Sequence, residues 1–60
     1  MSTFKVEFTT DNAAFEDGLC MEIAAVLRRI ADDVEQYGAP RRSVFDANGN
    51  RIGYYEHVPD

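Results

Sequence analysis

The sequence predicts an α+β fold, β-α-β-β, with one helix packed on one face of a three-stranded antiparallel sheet ordered 1-3-2. Three observations predict it. Phe4-Lys5-Val6-Glu7-Phe8-Thr9 alternates apolar and polar residues. Leu19 to Tyr37 repeats apolar residues at spacings of three and four and stops at Gly38. Asp46-Ala47-Asn48-Gly49-Asn50 divides two short strand-like runs.

The first strand places Phe4, Val6 and Phe8 on one face and Lys5, Glu7 and Thr9 on the other, the pattern of a half-buried strand. Thr9-Thr10-Asp11-Asn12 ends it. Asn12 suits the cap of a short helical turn that folds Phe15 back onto the core, after which Asp17-Gly18 opens the main helix. A continuous helix from Asn12 is the alternative, and it would carry Gly18 at a cost of about 1 kcal/mol. In the main helix the apolar stripe is Cys20, Ile23, Leu27, Ile30, Val34 and Tyr37, widened by Ala24 and Ala31. Gly38 and Pro40 end it.

The last third of the chain is a hairpin. Asp46 suits the first position of a type I turn, and Gly49 the left-handed position that follows it. This register sets Asp46 opposite Asn50, Phe45 opposite Arg51 and Val44 opposite Ile52. A tighter Asn48-Gly49 turn would exchange these partners. With the first register, Val44, Ile52 and Tyr54 face the helix, and Phe45, Arg51, Gly53 and Tyr55 face away. The expected core is Phe4, Val6, Phe8, Ile23, Leu27, Ile30, Val34, Val44, Ile52 and Tyr54. A right-handed crossover links the first strand through the helix to the hairpin.

All 60 residues form a single domain (1–60). A chain this short buries only about 60% of the surface its unfolded form exposes, so a partner chain is an expected source of further stability. One cysteine, Cys20, forms no internal disulfide, and with His57 it falls short of a zinc ligand set. Neither a metal nor a cofactor is expected. The loop after Asp46 resembles a calcium-binding loop only at its start. Arg51 stands where that motif has glycine, and His57 where it has its bidentate glutamate. Cys20 and His57 lack an orienting group or an oxyanion site, so no catalysis is expected.

The net charge of −5 disfavours direct binding to nucleic acid or to an anionic membrane and suits a basic protein surface. Met1-Ser2-Thr3 leads directly into a strand pattern, with no secretion signal and no run of roughly 20 apolar residues. With a free cysteine, that points to a reducing cytoplasm.

Two surfaces are candidate partner sites. The uncovered sheet face is expected to show Lys5, Glu7, Thr9, Phe45, Arg51 and Tyr55. The outer helix face carries Glu22, Asp32, Asp33 and Glu35, which continue an acidic series from Asp11, Glu16 and Asp17. Spaced carboxylates of this kind can occupy a groove lined by Lys and Arg. They also suit a solvated face, because Arg28 and Arg29 lie within helical reach of Asp32 and Asp33. Likewise, Phe45 and Tyr55 can be a cross-strand pair that stabilises the hairpin alone.

Asp11-Asn12-Ala13-Ala14-Phe15-Glu16-Asp17, the helix segment Glu22 to Asp32, and Asp46-x-Asn48-Gly49-Asn50-x-Ile52-Gly53 together resemble small uncharacterised proteins encoded by bacteriophages and prophages, especially of actinobacteria. The resemblance implies a phage product acting in the bacterial cytoplasm, and it carries over no catalytic residue. Small acidic phage proteins are frequently inhibitors of host machinery, including restriction and CRISPR defence. The expected function is therefore non-enzymatic. The protein would bind and inhibit a host protein complex that handles nucleic acid, with nucleic-acid mimicry as one route. Two alternatives stand beside it. One is a structural homodimer joined through the open sheet face at Phe45 and Tyr55. The other is a single-strand nucleic-acid binder using the sheet aromatics with Lys5 and Arg51.

Overall fold

Alternation makes Thr3–Phe8 a strand, β1. A single 3-10 turn follows at Ala13–Phe15 and buries Phe15. The helix α1 runs Leu19–Tyr37, and two further strands, β2 (Arg41–Phe45) and β3 (Arg51–Val58), complete the chain. The computed structural model describes residues 1–38 and 40–59. The sheet is antiparallel throughout, in the order β1-β3-β2. This is the β-α-β-β arrangement and strand order that the sequence predicts.

Two local signals act as expected at the helix ends. Gly18 stands at the start, its carbonyl accepting the Glu22 N–H at 2.9 Å. Gly38 closes the helix with its own N–H on the Val34 carbonyl at 3.1 Å.

The hairpin turn also forms as expected. The Asp46 N–H donates to the Asn50 carbonyl and the Gly49 N–H to the Asp46 carbonyl. Gly49 takes φ 84°, a left-handed conformation that costs a glycine nothing. Phe45 lies opposite Arg51, but Val44 lies opposite Gly53 rather than Ile52. Ile52 is thus the extra residue of a β-bulge.

That one residue overturns the expected face assignment. Beyond the bulge, Gly53 and Tyr55 share the helix-side face with Val44, and Tyr54 turns to the open face. Gly53 lies opposite both Val44 and Phe8, where β1 comes close. A Cβ at Gly53 would lie 2.6 Å from the Phe8 Cα and would also strike the Glu7 carbonyl.

The core is Phe15, Val26, Ile30, Val44, Ile52 and Tyr55, with Phe8, Ala14 and Ile23 packed against it. Ile30, Val44 and Ile52 are buried as expected. Phe4, Val6, Leu27 and Val34 are 49%, 37%, 47% and 38% exposed, so the expectation that they are core residues is wrong. The helix is rolled by roughly 60° from the expected orientation, as about 100° per residue places Val26 and Ile30 at the centre of its buried face. It lies over the hairpin, so that on the helix-side surface of β1 Phe8 packs against the core while Phe4 and Val6 stay substantially exposed.

Candidate functional site

The hairpin side is held by polar ties that explain the roll of the helix. Glu22 accepts the Ala47 N–H at 3.0 Å and an Arg29 guanidinium N–H at 3.2 Å, so one carboxylate fixes the turn to the helix. Arg29 also donates to the Phe45 carbonyl at 3.5 Å. One turn further on, Asp33 pairs with Arg42 of β2 at 3.6 Å, and the Arg42 guanidinium stacks on the Tyr37 ring at 4.2 Å. Glu22, Arg29 and Asp33 occupy one flank of α1, and that flank is drawn onto β2 and its turn.

Asp46 carries a dense set of hydrogen bonds among the described residues. One carboxylate oxygen accepts the N–H groups of Asn48 and Asn50, each at 2.9 Å, and the other accepts the Asn12 amide at 3.0 Å. Its residue is buried. The Asn12 bond first, and then the Asn50 N–H, hold its carboxyl below the usual range, against the opposing effect of desolvation. Asn12 therefore does not cap the 3-10 turn through its side chain. It ties the loop after β1 to the hairpin turn instead.

These contacts redistribute the sequence-predicted site residues. Glu22 and Asp33 serve internal ion pairs, so they are not free acidic contacts. Arg29 reaches back to Glu22 rather than forward to Asp33. Asp32 and Glu35 remain on the exposed outer face of α1, and among the described residues neither enters an ion pair.

Tyr55 is corrected outright. It is 1% exposed and lies beneath the helix, so it cannot be an open-face contact. Its hydroxyl finds no hydrogen-bond partner among the described residues. Burial pushes its pKa upward, with the nearby Asp33 charge adding to the rise and Arg42 opposing it.

The open sheet face gathers Lys5, Glu7, Ser43, Phe45, Arg51, Tyr54, Arg41 and Glu56 by register. Sequence reasoning missed Tyr54 and Glu56 because the bulge in β3 shifts their faces, and Arg41 because it reads as a residue leading into the strand rather than its first member. Arg41 bridges to Glu56 at 2.9 Å and lies over the Tyr54 ring at 4.2 Å. Arg51 donates to the Ser43 hydroxyl at 3.0 Å. Phe45 is half exposed at the end of this row. The two arginines are thus held in place beside two aromatic rings.

A cleft of about 180 Å³ lies between α1 and β2, lined by residues including Val26, Arg29, Asp33 and Phe45. That is smaller than the roughly 300–1,000 Å³ of ordinary small-molecule sites. Among the described residues, no three His, Cys, Asp or Glu side chains converge as metal ligands. No described helix is long and apolar enough to cross a membrane. No family model, no curated protein and no solved structure matches the chain.

Proposed function

We propose that this chain is a non-enzymatic protein-binding domain that docks through its open sheet face. In the phage setting implied by the sequence resemblance, its target is a host complex that handles nucleic acid, and docking inhibits that complex. The observation that carries the reading is the row Phe45, Arg51, Tyr54 and Arg41 on an uncovered sheet. Aromatic and arginine side chains dominate the energetic centres of protein interfaces. Here the sheet backbone, the Arg41–Glu56 bridge and the Arg51–Ser43 bond hold them in place, which lowers the entropy lost on docking.

A second reading rests on the outer helix face. Asp32 and Glu35, exposed and without ion pairs among the described residues, suit a basic groove and would imitate phosphates there. Asp33 and Glu22 are left out of this reading because they serve the fold.

Affinity capture from bacterial lysate tests both, with the captured complex then assayed for inhibition. The native chain is expected to retain and inhibit one nucleic-acid-handling complex. Phe45→Asp with Tyr54→Ala is expected to abolish capture while circular dichroism stays native. If Asp32→Lys with Glu35→Lys abolishes capture instead, the mimic reading replaces the first. Capture that survives both pairs, or no specific capture by the native chain, overturns the proposal.

A further inference from the structure

The two edges of the sheet are unlike. β2 forms one edge, and it is guarded: Arg41 and Arg42 start the strand, and the Arg29 guanidinium bonds the Phe45 carbonyl. Like charge and a capped carbonyl both discourage pairing with another strand. β1 forms the other edge. Thr9 donates its N–H to the Ile52 carbonyl of β3 at 3.0 Å. Alternation along an antiparallel ladder then turns the N–H and C=O groups of Phe4, Val6 and Phe8 away from β3, toward the free edge.

The same edge borders an apolar strip. Glu22, Arg29 and Asp33 hold one flank of α1 onto the hairpin, so the opposite flank, with Leu27 and Val34, is turned toward β1. Phe4 and Val6 lie beside it on the helix-side face of the sheet, and all four are more than a third exposed. Together they make an exposed apolar strip beside this edge.

We propose that β1 pairs with β1 of a second copy, antiparallel about a two-fold axis at Val6. The result is a continuous six-stranded sheet with both helices on one face. Opposed residues in an antiparallel ladder both point their backbone groups at the partner or both away. Register is therefore limited to pairing Phe4, Val6 and Phe8 among themselves. Centring on Lys5 would oppose two lysines, and centring on Glu7 two glutamates. Centring on Val6 opposes Lys5 to Glu7 of the second copy, and by symmetry does so twice. This register adds about six backbone hydrogen bonds and sets Val6 on Val6 and Phe4 on Phe8 of the second copy. The two apolar strips join across the axis.

Both charges are available. Lys5 lies opposite Glu56 within the chain, but Glu56 is engaged by Arg41, and among the described residues no ion pair includes Lys5 or Glu7. The dimer leaves the open sheet face uncovered and doubles it.

Sedimentation equilibrium over a dilution series tests the proposal, with Lys5→Glu, Glu7→Lys and the double variant. The native chain is expected to reach twice its 6.8 kDa mass. Each single variant should weaken the dimer about tenfold in low salt, since two attractive pairs become repulsive. The double variant should return to near the native affinity. Any intrachain cost of placing glutamate opposite Glu56 persists in the double variant, so recovery reports the contact between copies. A native chain monomeric at every concentration, a dimer indifferent to Lys5→Glu, or a double variant that fails to recover would each overturn the proposal.

Discussion

The hairpin side and the β1 side of this small domain are built on opposite terms. On the hairpin side, the turn, β2 and one flank of α1 are joined through Glu22, Arg29, Asp33 and Arg42, and the core residues Val44, Ile52 and Val26 lie beneath. On the β1 side, Phe4 and Val6 face a helix that has rolled away from them, and Leu27 and Val34 face outward. A single helix is too narrow to cover three strands. The strands it covers are those where Val26 and Ile30 are buried against Val44 and Ile52 and where Glu22, Arg29 and Asp33 meet the turn and β2.

The difference can be broken first at the seam between the two regions. Gly53 belongs to the hairpin and abuts β1. Gly53→Ala is expected to destabilise by about 3 kcal/mol, because backbone rather than a mobile side chain occupies the space. A domain of this length has only about 3–9 kcal/mol in all, so urea unfolding should show a large loss. A native urea midpoint would mean that β1 does not approach Gly53 as closely as described.

A smaller effect separates the regions by pH. The Asp46 carboxyl is held below its usual range by the Asn12 amide and the turn N–H groups. Its folded pKa lies below the unfolded one, so its stabilisation is present above about pH 4, the unfolded value, and is lost as pH falls through the folded value. Urea midpoints should therefore drop as pH falls below about 4 in the native chain and drop less in Asp46→Asn. At the alkaline end the sign reverses. Tyr55 has a raised folded pKa, so its contribution is intact below about pH 10 and declines as pH rises from there through the folded value. Tyr55→Phe should flatten that alkaline decline.

The smallest effect is expected at the clamp itself. Glu22→Gln keeps an acceptor for the Ala47 N–H but removes the charge that pairs with Arg29. The Arg29 side chain is 47% exposed, so the loss should stay under about 1 kcal/mol and shrink in high salt. A loss that salt does not reduce would assign Glu22 a packing role instead.

The order of elements, the sheet order, the turn at Asp46 and Gly49 and the helix limits were legible in the sequence, because each rests on local chemistry. The identity of the core was legible only in part. Alternation assigns Tyr54 and Tyr55 to faces correctly only if the bulge at Ile52 is known, and one extra residue exchanges them. The apolar stripe of α1 is wide enough to bury along either flank. The choice between Val26 and Leu27 depends on Glu22 and Asp33 meeting Ala47 and Arg42, contacts far apart in sequence. The Asp46–Asn12 bond joins residues equally remote. For the candidate site, Phe45, Arg51, Lys5 and Glu7 were placed correctly on the open face. Tyr54 was missed and Tyr55 misplaced for one and the same reason.

Val26 and Leu27 are adjacent in sequence and lie on the two sides of this divide, so they test it most directly. The measurement is urea unfolding of Val26→Ala and Leu27→Ala at high dilution, where copies do not associate. Val26 is wholly buried, and truncating it should cost about 2 kcal/mol. Leu27 is half exposed, and truncating it should cost well under about 1 kcal/mol although more carbon is removed. Equal costs, or a larger cost at Leu27, would show the helix facing β1 along the stripe that periodicity predicts, and would contradict the account.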